Sequence, residues 1–252
     1  MDPTHHHLKL CTFEAATGLG RHQRLGAHKE GRVLDLNFAT AWYLAQTGEP
    51  DPQRLADALV PASMMGYLRA GPRASHTAEE LFLGSGPNPA QWWLCETPPC
   101  GPNDETLVYA EDTVRLLDVF GRDAFGRDGR IRGPVDCEWE AAAVAAAGPY
   151  GAPMPGGYTL VLRCGKRQVL GPYLVTPNQI PRPSEIQWIA RVNGVEWGGG
   201  KLASDLKIED PTLRPGDYRA SGVLGSLTLE PGDLLEIEAE KIGVLQQRVS
   251  GG

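Results

Sequence analysis

The run Asp136-Cys-Glu-Trp-Glu140 constrains the fold of this chain more than any other segment. In an extended strand, residues two apart share a face. Asp136, Glu138 and Glu140 would then point one way, and Cys137 and Trp139 the other. Carboxylates gathered at strand spacing need a cation, a proton or a basic side chain among them. Such a strand is therefore a candidate active-site wall. The competing conformation is a helix through the alanine-rich stretch from Glu140 to Ala147, which would turn Glu138 and Glu140 to opposite sides. A solvated charged edge is the other alternative.

Composition narrows the setting. A chain of 252 residues with 41% hydrophobic side chains has room for one large or two modest domains with real cores. A formal charge of -7 leaves no basic footprint, so nucleic acid is not an expected partner. No apolar run approaches the ~20 residues of a membrane span. The first residues lack the basic start and apolar stretch of a signal peptide. A cytoplasmic protein with no membrane partner is expected. Five cysteines (Cys11, Cys95, Cys100, Cys137, Cys164) are odd in number, scattered and without CxxC spacing, so reduced thiols are expected. Cys137, facing away from Glu138, reads as a buried inert thiol. His5, His6 and His7 read as a tag remnant at a frayed end.

Along the chain, alternation from Leu8 to Thr12 and again over Arg32–Leu36 predicts an opening hairpin. Asp51-Pro52 marks a helix start, with Leu55, Ala58, Leu59, Ala62 and Met65 on one face. Thr77 with Glu80 reads as a capping box. Trp42, Tyr43, Met64 and Met65 read as core, with the wall of a ligand groove as the alternative. Proline and glycine from Gly84 to Gly101 predict a long connecting loop around Trp92-Trp93, and Gly121 to Gly129 an exposed turn. Beyond it, five strand-like runs (Tyr158–Leu162, Val169–Val175, Ile186–Val192, Tyr218–Val223, Leu234–Glu240) alternate with turns, including the repeat Leu213-Arg-Pro-Gly-Asp217 and Leu229-Glu-Pro-Gly-Asp233. The fold class is α+β and β-rich, with a small N-terminal domain over 8–118 and a second domain over 119–252.

Several pieces in this order resemble the fumarylacetoacetate hydrolase family. They are Glu105-Thr-Leu-Val-Tyr109 with Thr113–Leu117, Asp136–Glu140, Gly157-Tyr-Thr-Leu160 and Leu170-Gly-Pro-Tyr-Leu-Val-Thr-Pro177. Arg191-Val-Asn-Gly194, Leu213–Asp217 with Ser221-Gly222, and Leu229–Glu238 with Ile242-Gly243 complete the set. The resemblance implies a small N-terminal α/β domain, a mixed β-sandwich roll holding the active site, a homodimer, and enolate chemistry on small dicarbonyl or 2-oxo acid substrates. It also implies a divalent cation held by carboxylates, two of which match Glu138 and Glu140.

The third acid of that pattern falls on Arg163. A guanidinium facing two carboxylates offsets much of their charge without a metal, so no cofactor is expected. The lid histidine of the hydrolases is also missing, since no histidine follows His76. Lys166 matches the family's lysine with a spacing about two residues short, and the alternative for it is a solvated turn. The resemblance assigns substrate contacts to Tyr158, Ser221 and Gly222.

The leading expectation is a divergent enzyme acting on an enolisable dicarbonyl or polyketide-like molecule without a metal, by isomerisation, cyclisation, dehydration or lyase cleavage. Glu138 or Glu140 would move the proton, with Arg163 and Lys166 stabilising the enolate. The alternatives are a C–C hydrolase or decarboxylase dependent on Mg²⁺ or another divalent cation held by Glu138, Glu140 and Asp136, and a non-catalytic scaffold.

Overall fold

The computed structural model describes residues 8–17, 20–83, 108–122, 131–202 and 205–250. The first part of the chain forms β1 (Lys9–Thr17), β2 (Gly20–Lys29) and β3 (Arg32–Asp35), then α1 (Leu36–Gln46), α2 (Pro52–Leu59), α3 (Met64–Ala70) and α4 (Pro72–Leu83). Three short strands follow, β4 (Val108–Ala110), β5 (Arg115–Leu116) and β6 (Ile131–Arg132). The long central strands are β7 (Val135–Ala147), β8 (Pro153–Cys164) and β9 (Arg167–Val175). The remainder is β10 (Gln187–Val192), β11 (Val195–Lys201), β12 (Tyr218–Ala220), β13 (Gly225–Leu229), β14 (Leu234–Ala239) and β15 (Gly243–Ser250).

Two sheets result. The larger runs β12-β7-β8-β9-β1-β2-β3-β4, with β13 also on β7 and β5 on β1. It is continuous across residue 118, because β1 pairs with β9 through Lys9 opposite Val175 and Leu10 opposite Leu174. The smaller sheet runs β11-β10-β14-β15-β6, its β15–β6 pair parallel and the others antiparallel. This is the β-rich α+β architecture expected from the sequence.

β7 is the common wall. Cys137, Trp139, Ala141, Ala143 and Ala145 share one buried cluster with Trp188, Ala190, Ile237 and Leu245 of the smaller sheet. Ala142, Val144 and Ala146 belong to the cluster containing Met64, Tyr67 and Leu68 of α3. Alanine favours helices in isolation. Here both faces are covered and every residue from Ala141 to Ala146 is at most 4% exposed, so small side chains let two layers close on one strand. Trp139 is fully buried, its ring 6.1 Å from Trp188 and 5.2 Å from Trp197. β13 can pass this ring only as glycine, since a Cβ on Gly225 would lie 2.3 Å from the Trp139 ring.

The local expectations meet the structure unevenly. The opening hairpin is β1–β2, and Arg32–Asp35 is a third strand pairing with β2. The helix expected from Asp51 to Met65 ends at Leu59, and α3 starts afresh with Ser63 Oγ accepting from Gly66 N at 3.1 Å. Thr77 is no cap. It sits inside α4, its hydroxyl donating to Arg73 O at 2.9 Å. Met64 is core, and Met65 and Trp42 pack against the same cluster. His5–His7, Cys95, Cys100, Trp92-Trp93 and the loop from Gly84 to Gly101 lie outside the described residues, as does most of the Gly121–Gly129 turn. Among the described residues, no helix is long and apolar enough to cross a membrane.

The expectation of reduced thiols is overturned at one pair. Cys137 and Cys164 stand directly opposite one another in the β7–β8 register and form a disulfide, both side chains at most 4% exposed. Strand register brings together what sequence spacing keeps 27 residues apart. Closing a loop of that length stabilises by up to about 3.5 kcal/mol. Thiol reductant, or Cys137→Ala with Cys164→Ala, is expected to lower the Tm by about 10 °C, read by scanning fluorimetry. Equal Tm values and ready alkylation of both thiols in the native protein would show that the bond does not form.

Candidate active site

The register that joins the cysteines also sets Glu138 opposite Arg163 and Glu140 opposite Val161. Arg163 Nη1 donates to Glu138 Oε1 at 3.2 Å and to Glu140 Oε2 at 2.9 Å. Its Nη2 donates to the Tyr218 hydroxyl at 3.3 Å, and Nε to Gln168 Oε1 at 3.4 Å. Partial burial opposes the guanidinium charge, but the hydrogen bonds to Tyr218 and Glu140 outweigh it and hold the Arg163 pKa above its ordinary value. The Glu138 side chain is 43% exposed and that of Glu140 only 10%. Glu140 is thus the anchored partner and Glu138 the one that solvent or a small molecule can reach.

The other residues assigned by the resemblance divide. Ser221 borders the cluster: Ala141 N donates to its Oγ at 3.2 Å, and the hydroxyl donates to Gly222 O at 2.9 Å. Gly222 follows in an exposed turn with φ +89°. Tyr158 lies away from the cluster. It stands opposite Ala143 and packs on the other face of the sheet, where burial, with the nearby Asp205 charge, raises its pKa. Lys166 is exposed in the two-residue turn between β8 and β9, as in the solvated-turn alternative for it. Asp136 is exposed and accepts from Thr228 Oγ1 at 2.7 Å. The sequence reading missed Gln168 and Tyr218. Gln168 follows from hairpin register, being opposite Arg163. Tyr218 comes in only through the long-range β12–β7 pairing.

A divalent cation does not fit this donor set. The guanidinium occupies the space between the two carboxylates, and Asp136 is engaged elsewhere. Among the described residues there is no group of three or more His, Cys, Asp or Glu side chains that could hold a metal ion.

Most of the chain's length matches solved enzymes in fold. Maleylpyruvate hydrolase from Sphingobium sp. SYK-6, in complex with manganese(II) and pyruvate, matches with a TM-score of 0.60 and 18% identity, over 97% of this chain and 100% of that one. Fumarylacetoacetate hydrolase from Exiguobacterium antarcticum matches with a TM-score of 0.54 and 15% identity, over 97% and 100%. The fold is that of the fumarylacetoacetate hydrolase family, as the colinear motifs imply. A 5-carboxymethyl-2-hydroxymuconate delta-isomerase from Mycobacterium smegmatis also matches, with a TM-score of 0.51 and 16% identity over 96% and 99%. By sequence, a maleylpyruvate hydrolase of Aquipseudomonas alcaligenes is 36% identical over 87 residues, spanning 31% of this chain and 30% of that protein. No family model matches the chain.

Arg163→Met leaves two facing carboxylates without their cation. The cluster is partly exposed, so solvent screens much of the repulsion. A stability loss of about 1–2 kcal/mol is expected, a fall in Tm of a few degrees by differential scanning calorimetry. An unchanged Tm would mean that the three side chains do not form one network in solution.

Proposed function

We propose that the chain is a divergent enzyme that abstracts a proton from a small enolisable dicarbonyl compound, with Glu138 as the base and no divalent cation. The reading rests on one observation, that Arg163 bridges Glu138 and Glu140 where the family resemblance puts a third acid. Two glutamates and one arginine carry a net charge of -1. When the substrate C–H bond breaks, the proton passes to the Glu138 carboxylate and the electron pair moves onto the carbonyl oxygen. The negative charge is thereby transferred from Glu138 to an enolate beside Arg163, and the site never gathers extra charge. Tyr218 accepts from Arg163, which leaves its own O–H to donate to a substrate oxygen. Glu140 holds the guanidinium in place. Returning the proton to a different carbon isomerises the substrate; expelling a β-substituent dehydrates or cleaves it.

The test is deuterium exchange at the acidic carbon of a 2,4-dioxo acid, followed by NMR in the presence of a chelator. Wild-type protein is expected to catalyse it, and Glu138→Gln to slow it by ~10²- to 10⁴-fold with folding intact. Exchange that requires manganese, or that survives Glu138→Gln unchanged, would overturn the reading.

The 36% identity to a maleylpyruvate hydrolase favours a second reading, metal-assisted C–C bond hydrolysis. The two part on metal affinity. Under the metal-free reading, calorimetry finds no tight manganese or magnesium site in the wild-type protein, and Arg163→Asp creates one by restoring a third carboxylate. Tight binding by the wild type would favour hydrolysis instead.

A further inference from the structure

A second site lies about 20 Å along β7 from Glu140, measured as the six strand residues to Ala146. There α4 crosses the end of the large sheet. The approach is close because Gly71, at φ +62°, has no Cβ: one built there would lie 2.0 Å from Ala147 O. Between helix and sheet remains a cleft of about 200 Å³, with Tyr67, Ser75, Glu79, Met154, Pro155 and Asn178 among its lining residues. That volume exceeds the ~150 Å³ of an apolar cavity able to take benzene.

The cleft wall carries polar atoms with nothing to bind. The Tyr67 hydroxyl is buried, the residue being only 2% exposed, and Ser75 lies beside it without closing a hydrogen bond of ordinary geometry. Glu79 is held through one oxygen, Oε2, which accepts from Asn178 Nδ2 at 2.8 Å, while Oε1 is buried without a partner. A buried carboxylate oxygen left unsatisfied is destabilising, so the arrangement favours a donor from outside. The lining contains no lysine or arginine; His76, exposed and paired with Glu80 Oε1 at 3.2 Å, also borders it, and the remaining walls are proline, glycine and alanine.

We propose that this cleft binds a small primary amine, its ammonium donating to Glu79 Oε1 and the Tyr67 oxygen and its apolar body packing against Met154 and Pro155. The site is separate from the Glu138 cluster and does not depend on the reaction proposed there. Charge decides the choice of ligand: a charge-assisted hydrogen bond is about twice as strong as a neutral one.

Benzylamine is a suitable probe in calorimetry on the full chain, with benzyl alcohol as the isosteric neutral control and benzoate as the anionic one. Saturable binding with Kd on the order of 1 mM or tighter is expected for an eight-atom ligand. Benzyl alcohol should bind at least tenfold more weakly and benzoate not at all. Glu79→Gln, which keeps the volume and removes the charge, should weaken benzylamine by about tenfold or more, and Tyr67→Phe by several-fold. Glu138→Gln should leave the affinity as it is. No saturable binding, equal binding of the alcohol, indifference to Glu79→Gln, or a complex structure with only ordered water in the cleft would each overturn the proposal. Loss of binding in Glu138→Gln alone would move the amine to the carboxylate cluster and equally dismiss this site.

Discussion

The pairing of β7 with β8 fixes everything else at the candidate site. Side chains alternate across a strand, so a slip of one residue in this register would turn Glu138 and Glu140 toward Trp188 and Ile237 and bring Trp139 to the polar face. The hydrophobic cost on one face and the unpaired charge on the other both oppose such a slip. Two specific rungs add to this. Cys137 opposite Cys164 is covalent, and the next rung, Glu138 opposite Arg163, is ionic. The covalent tie lies on the buried face and the charged one on the opposite face, one residue further along.

The arginine changes what the two glutamates can do. A third carboxylate at its position would make a strongly anionic site, stable only with a bound cation. A guanidinium satisfies both acids directly, and its planar fork reaches Tyr218 and Gln168 as well. Four acceptors around one cation hold it rigidly, the preorganisation that an enolate-stabilising group needs. The asymmetry between the acids then separates their roles. Glu140 makes the shorter contact in the more buried position, and Glu138 the longer contact in the more accessible one.

What the sequence disclosed and what it hid follow from the range of the interactions. Alternation in Asp136–Glu140 identified β7 even though six following residues are mostly alanine, because a strand buried on both faces needs small side chains more than strand propensity. The family resemblance, continued without a gap from Gly157, pointed to Arg163, and the β7–β8 register sets it across from Glu138. Counting along the β8–β9 hairpin reaches Gln168, which went unread. It does not reach Tyr218, delivered by β12 from 74 residues beyond Val144, its rung on β7. The helices were harder for a different reason. α1 is apolar almost all round and shows no clear period, and its start depends on Asp35, whose Oδ1 accepts from Phe38 N while the same carboxylate pairs with Arg24. Thr77 and Glu80 have capping-box spacing but sit mid-helix, because Pro72 already supplies a better first residue. Lys166 matched a family position, yet a two-residue hairpin turn can only present it to water.

The position of the acids along β7 has its own cause. Through the second half of the strand both faces are closed, one by the smaller sheet and the other by α3, and only alanine and valine are found from 141 to 147. Charge could not be accommodated there without a buried partner for every group. At the first half, one face is still closed by Trp139 and its neighbours, while the other lies at the border of the helical layer and keeps contact with solvent. That border is the only stretch of β7 where a carboxylate can be held by a rigid strand on one side and met by a substrate on the other. The acids are thus placed where the core ends, and the strand owes its rigidity there to the closed half that follows.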